Sequence, residues 1–400
     1  MALGTSACAT HYTSSVRVGI TCYPTYGGSG IVATELGLEL ANRGHEVHFI
    51  AYANPIRLDP GIPRIFYHEV EVTTYPLFLY PPYALALSSR MAEVAERYSL
   101  DLLHVHYAIP HSISALLARD MLGRQGRRLP FITTLHGTDI TLVGADRSYL
   151  PITRFSIEES DGVTAVSDYL RDATADFLGV RREIRVIKNF VNCDMYQPDP
   201  QRRREAKVAP EGEKVLIHIS NFRPVKRVTD CIRILAQVRQ HAAAHLLMVG
   251  DGPEWGPAEA LTRELGLEEH VTFTGKQSHV ERLLPLAHVL LMPSDLESFG
   301  LAALEGMACG VPAVATRGGG LPELVTDGVD GFLEPVGDIQ AQAARVIELL
   351  TDDKLYQRVS GAARRTAETR FCSSLTIPQY ERYYEEVCGG AGASRSTSGG

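Results

Sequence analysis

Several features that would place this chain in a membrane, outside the cell or on nucleic acid are missing from its sequence. No apolar run approaches the roughly 20 residues that a membrane-spanning helix needs. Residues 1–15 lack the basic and apolar regions of a secretory signal, so we expect no such signal. The longest basic run is Arg202 to Arg204, and the formal net charge of the chain is −8. We therefore expect no nucleic-acid partner and no transmembrane segment.

Motifs for metal ions and disulfide frameworks are also missing. The seven cysteines are scattered and form no C-x-x-C pair, and the fourteen histidines show no H-E-x-x-H spacing. The chain contains no D-x-D motif either. Because zinc sites and disulfide frameworks depend on such spacings, we predict reduced thiols in a cytoplasmic protein, no metal ion and no bound cofactor.

The sequence contains instead two series of strands that alternate with helices. With 45% apolar and 22% charged residues the composition is that of a globular protein, and 400 residues suggest two or three domains. The first series begins at the apolar run 16–22, and the pattern restarts at 214–219, after a segment rich in Pro, Arg and Asp at 194–213. Short connections favour parallel, doubly wound sheets. We predict an α/β protein with two Rossmann-like domains that face a cleft.

The predicted domain boundaries follow from these two series. The first domain is predicted at 16–192 and the second at 193–372. An amphipathic run at 373–388 is predicted to form a helix that packs back on the first domain. We expect residues 1–15 and the Gly/Ser-rich residues 389–400 to be disordered.

The most informative segment is 297–305, in which two carboxylates, Glu297 and Glu305, are separated by seven residues. It follows a strand-like run, and Ser298 suits the N-cap of a helix that begins near Phe299. The free N–H groups at such a helix start attract phosphate. One arrangement could thus offer donors to a diphosphate and carboxylate acceptors to sugar hydroxyls. Taken alone, the segment is explained equally well as a solvent-facing helix start.

A glycine loop near the N-terminus permits two interpretations. Residues 28–33 (GSGIVA) satisfy the G-x-G-x-x-[GA] fingerprint of dinucleotide-binding proteins. The loop before them is long for the tight turn of that motif, and the second strand ends at Tyr52 without an acidic residue to hold a ribose. Gly27, Gly28 and Ser29 can still bring N–H donors close to a diphosphate. We therefore favour anion contact over a nicotinamide cofactor.

Polar and basic residues follow several other strands, where parallel sheets bind their ligands. His136 comes directly after the strand 131–135 and close to Asp139. Arg223 and Lys226 follow the first strand of the second series and would bring into the cleft the positive charge that a leaving diphosphate needs. A single His is more often structural, and a surface Lys or Arg is more often solvated. The position of these residues directly after strands is the reason to favour a binding role. Glycine turns that permit close ligand approach lie at Gly250, beside Lys276 and Gln277, and at 318–320.

Over essentially residues 16 to 388, the chain resembles the retaining family 4 glycosyltransferases of GT-B architecture. The resemblance is carried by Gly27-Gly28, His136-Gly137, Lys226, Gly250 to Gly252 and the pair Glu297/Glu305. Longer motifs resemble the branch of that family that transfers N-acetylglucosamine from UDP-GlcNAc to L-malate at the start of bacillithiol biosynthesis. These motifs are residues 19–24 (GITCYP), 104–111 (HVHYAIPH), 134–140 (TLHGTDI) and 218–223 (HISNFR).

The resemblance implies a UDP-sugar site built by both domains. Glu305 would hold the ribose hydroxyls of UDP, and Glu297 the hydroxyls of the transferred sugar. Lys226 would neutralise the diphosphate, and His136 would contact the sugar near its 6-hydroxyl. The remaining donor contacts would come from Gly27, Gly28, Ser29, Asn221, Gly250, Lys276, Gln277, Ser298, Phe299, Gly300 and Leu301, with Lys276 and Gln277 flanking the uracil.

Two assignments depend on less direct parallels. Many family members have an Arg at the position of Asn221, and Arg223 would supply that charge here, which would make it catalytic together with His136, Lys226 and Glu297. Malate brings two carboxylates, for which the candidates are Tyr107, Thr134 and Arg154. Of these Arg154 alone is cationic and so suited to bidentate recognition.

The resemblance also implies the course of the reaction. No carboxylate is placed by the sequence as a covalent nucleophile. The resemblance implies a front-face displacement, in which the leaving phosphate accepts the proton of the malate hydroxyl. Lys226, Arg223 and the helix start at Phe299 would stabilise the phosphate charge in place of a metal ion. The alternatives are another small anionic acceptor such as inositol phosphate, a nicotinamide-dependent oxidoreductase, and a non-catalytic sensor of nucleotide sugars. The sequence leaves the oligomeric state open, a homo-oligomer included.

Overall fold

The computed structural model describes residues 15–25, 27–59, 61–72, 79–138, 140, 146–205 and 208–390. The predictions for residues 1–14 and 391–400 lie outside these ranges. Residues 389 and 390 continue the last helix instead of starting a disordered tail. Within the described ranges, no helix is long and apolar enough to cross a membrane.

Among the described residues, the first domain contains a parallel sheet of seven strands that are connected by five α-helices. The strands are β1 Arg17–Thr21, β2 Glu46–Ala51, β3 Ile65–Glu69, β4 Leu102–His106, β5 Phe131–Leu135, β6 Gly162–Ala165 and β7 Arg185–Val186. The helices are α1 Gly28–Asn42, α2 Tyr83–Tyr98, α3 Ile113–Gly123, α4 Leu150–Glu158 and α5 Asp168–Leu178. The spatial order is β3-β2-β1-β4-β5-β6-β7.

The second domain repeats this plan with six strands. After α6 Pro200–Glu205, the strands are β8 Lys214–Ser220, β9 Ala244–Gly250, β10 Val271–Gly275, β11 Val289–Met292, β12 Ala313–Thr316 and β13 Gly331–Glu334. The helices are α7 Val228–Val238, α8 Trp255–Glu264, α9 Leu301–Ala308, α10 Leu321–Leu324, α11 Ile339–Thr351 and α12 Asp353–Arg370. The order β10-β9-β8-β11-β12-β13 is the same winding as in the first domain, so the prediction of two Rossmann-like sheets is confirmed.

The last helix, α13 Ser373–Gly390, lies against the first domain. Its Glu381 is almost fully buried and accepts hydrogen bonds from the guanidinium of Arg43, at 2.7 and 2.8 Å. The hydroxyl of Tyr383 accepts a hydrogen bond from the backbone N–H of Val163 at 2.9 Å. The chain therefore crosses between the domains twice, once before α6 and once between α12 and α13.

The two sheets are covered on both faces, as the apolar strands predict for parallel sheets. Every residue of β4 and β5 is buried, and so is every residue of β11 and β12. In this winding the strand order reverses between β1 and β4 in the first domain and between β8 and β11 in the second. Ligands of open α/β sheets bind at such points.

Tight packing of α1 on β2 generates a stability prediction. A methyl group added at Gly37 would overlap the ring of Phe49 and lie 3.2 Å from Val47 Cγ1. We expect Gly37→Ala to destabilise the first domain by about 1–3 kcal/mol through overpacking, seen as a lower midpoint in thermal unfolding. Gly123→Ala, in α3, is the matched control because nothing lies within 4 Å of the added methyl group. Equal midpoints for the two variants would contradict this packing.

Candidate active site

The segment 297–300 is held in place by close backbone contacts from both domains. A side chain on Gly319 would overlap the carbonyl of Glu297, and one on Gly320 the carbonyl of Ser298. From the first domain, the hydroxyl of Ser167 donates a hydrogen bond to the carbonyl of Ser298 at 2.6 Å. The glycine turn at 318–320, which the sequence offers as a ligand loop, thus supports the segment from behind.

The helix that follows begins later than the sequence predicts. Helix α9 begins at Leu301. Its N-cap is Gly300, which has a φ of +98° and no side-chain hydrogen bond. The prediction of Ser298 as N-cap was therefore wrong, because the Ser298 side chain turns toward Gly137 of the other domain. Among the described residues, no acceptor receives the backbone N–H of Phe299 or Gly300. The N–H groups that the sequence assigns to an anion remain available for one.

Lys226 and Glu297 form one ion pair on the second-domain side of the cleft. The ammonium of Lys226 donates to Glu297 Oε1 at 2.6 Å, and the hydroxyl of Ser294 donates to the same oxygen at 2.8 Å. Their side chains are 20% and 13% exposed, so solvent still reaches the pair. The sequence analysis assigns Lys226 to the diphosphate and Glu297 to the sugar of one ligand, and in the structure the two side chains are in contact.

Glu305 lies deeper, at the boundary between the domains. It accepts a hydrogen bond from the hydroxyl of Tyr196 at 2.8 Å, and Arg57 of the first domain lies 3.5 Å from the same oxygen. Arg57 also donates to Glu35 of α1 at 3.3 Å. Burial raises the pKa of Glu305, while the charge of Arg57 opposes that rise. These four residues line a narrow pocket together with Leu301.

The first domain supplies the glycine loop on the opposite side. Helix α1 begins at Gly28, with Gly27 in extended conformation as N-cap and no side-chain cap. A side chain on Gly30 would lie 2.5 Å from the carbonyl of Tyr23, so only glycine fits there. A Cβ at Gly28 would be 3.9 Å from Leu301, which shows that the starts of α1 and α9 face each other. Ser29 is buried in the first turn of α1.

His136 belongs to a group of imidazoles at the ends of β4 and β5, in which His104 and His106 are fully buried and His136 is half-buried. Its Nε2 lies 2.8 Å from Nδ1 of His106, and the rings of His106 and His104 stack at 4.6 Å. Burial lowers the pKa of His136 to about 3 and that of His104 to about 3. His136 is therefore neutral near pH 7 and can exchange hydrogen bonds but adds no charge. Asp139, which the sequence places close to it, lies outside the described residues.

The structure places only one of the three acceptor candidates at the cleft. The ring of Tyr107 packs against His136 at 5.5 Å and against Tyr23 at 5.2 Å. Thr134 is fully buried, and its hydroxyl is within 2.6 Å of both His104 Nε2 and Thr164 Oγ1. Its predicted contact with an acceptor was wrong, because its side chain points under α13 and not into the cleft.

The structure places Arg154 on α4, near the end of α5. It is exposed on α4, and its Nη1 lies 3.6 Å from the Cβ position of Gly179, at the C-terminal end of α5. Ser167, at the N-terminal end of α5, contacts the second domain. An 11-residue helix is about 16 Å long. Arg154 is therefore beside the end of α5 that lies about 16 Å from the end that contacts the second domain.

The remaining predicted residues lie around the rim of the second domain. Arg223 is exposed. Asn221 has a buried side-chain oxygen without a partner among the described residues. A side chain on Gly250 would overlap the carbonyl of Ser220, so glycine is required there. Lys276 pairs with Asp251 at 3.2 Å, and Gln277 donates to the carbonyl of Thr274 at 2.8 Å; both are exposed after the edge strand β10.

Sequence reasoning missed a contact that joins the domains beside this site. Glu323 of α10 accepts hydrogen bonds from the backbone N–H groups of Asp168 and Tyr169, at 3.0 and 2.7 Å. These N–H groups lie at the start of α5, where a negative charge is favoured. Lys188 adds an ion pair to Glu323 at 3.0 Å. Ser167 and Asp168 are typical of a helix N-terminus, so the start of α5 can be predicted. Nothing in the sequence indicates that this start contacts Glu323 of the other domain.

The contact of Gly137 with Ser298 generates a prediction about domain closure. Gly137 has a φ of +111°, and any side chain there would overlap Ser298 Oγ. We expect Gly137→Ala to hold the cleft open, seen as a larger radius of gyration in small-angle X-ray scattering. Gly126→Ala is the control, because it shares the strain of positive φ, about 1–2 kcal/mol, but nothing lies within 4 Å of the added methyl group. An unchanged radius for Gly137→Ala would show that the domains do not close on this contact.

No group of three or more His, Cys, Asp or Glu side chains is placed to hold a metal ion in the part of the chain that the structure describes. The described residues of the cleft offer N–H donors at two helix starts, the Lys226–Glu297 ion pair, the buried Glu305 with Arg57 beside it, and neutral imidazoles. Such a set can bind a diphosphate and hydroxyl groups at the same time.

Comparisons with known proteins agree with this geometry. The model of Glycosyltransferase Family 4 matches residues 26–195, and that of Glycosyl transferases group 1 matches residues 199–366. N-acetyl-alpha-D-glucosaminyl L-malate synthase of Bacillus anthracis is 47% identical over 373 residues, which are 93% of this chain and 97% of that protein. D-inositol 3-phosphate glycosyltransferase of Mycobacterium marinum is 28% identical, over 81% of this chain and 73% of that protein.

The solved structures show the same architecture. Anabaena Alr3699/HepE in complex with UDP and glucose superposes with a TM-score of 0.78 at 22% identity, covering 92% of this chain and 99% of that one. Because a relative of 47% identity spans nearly the whole chain and the two family models match its two halves, the protein belongs to glycosyltransferase family 4 and has the GT-B fold.

Proposed function

We propose that the protein transfers N-acetylglucosamine from UDP-GlcNAc to the hydroxyl of L-malate, with retention of configuration, as the first step of bacillithiol biosynthesis. The observation that carries the proposal is the similarity to N-acetyl-alpha-D-glucosaminyl L-malate synthase over almost the full length of both chains. The inositol phosphate alternative is favoured less, because the identity to D-inositol 3-phosphate glycosyltransferase is 28%.

The donor diphosphate would bind between the starts of α1 and α9. The N–H groups of Phe299 and Gly300 are available to it, and Gly28 approaches from the other domain. The ammonium of Lys226 has three N–H donors, so it would bind the diphosphate while it keeps its hydrogen bond to Glu297. The positive charge and the helix start would then stabilise the leaving UDP, which supplies the electrostatic part of catalysis.

The two carboxylates would hold different parts of the donor. Glu305 accepts one hydrogen bond from Tyr196 and keeps acceptor capacity for the ribose hydroxyls. Glu297, fixed by Lys226 and Ser294, would accept from hydroxyls of the sugar. A carboxylate bound in this way is a positioning group and a poor nucleophile, which supports a front-face displacement in which a phosphate oxygen takes the malate proton.

His136 would contact the sugar as a neutral ring. Its neighbour His106 is fully buried and holds Nε2 of His136 at 2.8 Å, so the ring orientation is fixed before the donor binds. Of the acceptor candidates, Tyr107 beside His136 remains, and it would line the face on which malate approaches.

The proposal predicts a large effect of removing the Lys226 charge. We expect Lys226→Ala to lower kcat by roughly 10²–10³-fold, as when one preorganised donor to a developing anion is lost. Lys354→Ala, at an exposed position of α12, is the matched control and should leave kcat unchanged. UDP release from UDP-GlcNAc and malate measures both, and a Lys226→Ala enzyme with normal kcat would refute the role of this residue.

Product identity decides the function itself. The purified protein, incubated with UDP-GlcNAc and L-malate, should release UDP and form N-acetylglucosaminyl malate, detected by mass spectrometry. Parallel reactions contain inositol phosphate or no acceptor. Glycosylation of inositol phosphate without that of malate would replace the proposed acceptor, and binding of UDP-GlcNAc with no product from either would favour a sensor.

A further inference from the structure

The two crossings of the chain between the domains lie side by side. The N–H of Val191, in the first crossing, donates to the carbonyl of Phe371 at 2.9 Å. The N–H of Ser373, in the second crossing, donates to the carbonyl of Val191 at 2.9 Å. Val191 and Cys372 are therefore paired as in a short parallel sheet. Because these two segments connect the domains, any motion of one domain relative to the other must bend or twist them.

Each crossing carries one cysteine, and the two thiols are neighbours. Cys193 follows Val191 by two residues and is almost fully buried, with its sulfur 3.9 Å from the carbonyl oxygens of Val191 and Ala367. The carbonyl of Val191 also accepts the N–H of Ser373, the residue after Cys372, so the Cys193 sulfur lies against the segment that carries Cys372. Cys372 is partly exposed, so reagents in solution can reach it.

Cys372 has the surroundings of a reactive thiolate. Its carbonyl accepts from the N–H of Leu375 at 2.9 Å, which makes Cys372 the residue that precedes the first turn of the 18-residue helix α13. Hydrogen bonds from Cys193 and Ser374 to its sulfur lower the pKa of Cys372 to about 5, against an opposing effect of burial. A sulfur at a helix N-terminus gains further from the helix dipole.

Charged groups of both signs surround the two thiols. Glu39 of α1 and Glu368 of α12 oppose a negative charge near the pair, while Arg364 of α12 favours it. Hydrogen bonding with Cys372 raises the pKa of Cys193, whereas that of Cys372 is lowered, so Cys372 is the more nucleophilic member of the pair. Among the other described cysteines the pKa is raised by burial in each case: Cys22, Cys231, Cys309 and Cys388.

We propose that Cys372 and Cys193 are a reactive pair that closes reversibly to a disulfide across the two crossings and slows domain motion. The oxidant is a low-molecular-weight disulfide. The Cys372 thiolate attacks one of its sulfurs, the S–S bond breaks, and one thiolate leaves. Cys193 then loses its proton to solvent or to that thiolate and attacks Cys372 Sγ in the mixed disulfide, which releases the second thiol. Two protein thiols are oxidised and one small disulfide is reduced to two thiols.

The inference goes beyond the transfer reaction, and its chemical part is tested without an activity assay. The full-length reduced protein is incubated with oxidised glutathione, alkylated, digested without reductant and analysed by mass spectrometry. We expect a peptide pair that joins Cys193 to Cys372 and disappears on addition of dithiothreitol. With Cys193→Ser, the glutathione adduct on Cys372 should persist, because the resolving thiol is gone.

Cys388 supplies the internal control, because it is also partly exposed but has a pKa raised to about 11. At pH 7, iodoacetamide should modify Cys372 faster than Cys388 in the same sample. Failure to find the Cys193–Cys372 pair, or equal alkylation of the two residues, would overturn the proposal. Oxidation should also lower turnover in a way that dithiothreitol restores. A linked enzyme with unchanged turnover would overturn the connection to domain motion.

Discussion

The close approach of backbone to backbone at residues 297–300 is the constraint on which the site depends. The segment is held from behind by glycines 319 and 320 and from the opposite domain by Gly137 and Ser167. A side chain at any of these three glycines would displace the segment, since each would overlap atoms of Glu297 or Ser298. The N–H groups of Phe299 and Gly300 therefore have a fixed direction before any ligand arrives, which is what electrostatic preorganisation requires.

Charge in the cleft is arranged around that segment. Lys226 and Glu297 neutralise each other at 2.6 Å, and Arg57 lies between the carboxylates of Glu35 and Glu305. Burial keeps the histidines at the ends of β4 and β5 uncharged, because it lowers the pKa of His136 and His104. The cleft thus contains paired charges and neutral donors, and an incoming diphosphate would find its positive partner already in place at Lys226.

Much of the fold could be predicted from the sequence, because two series of apolar strands with helical spacing between them have few alternatives. The strand ends also located Lys226, Glu297 and the glycine loop. What failed depended on side-chain direction or on the partner domain. Thr134 lies inside β5 and His136 directly after it, but the Thr134 hydroxyl is hydrogen-bonded to His104 and lies beside Tyr380 of α13, which comes from a distant part of the chain. Arg57 and Glu323 meet their partners across the domain boundary, which no local pattern indicates.

The central claim is that the segment 297–305 binds the UDP-sugar donor in the closed cleft. A crystal structure of the protein with UDP tests it most directly. The account predicts the ribose hydroxyls on Glu305, and the diphosphate on Lys226 and on the N–H groups of Phe299 and Gly300. UDP bound elsewhere, or bound here without contact to Glu305, would contradict it.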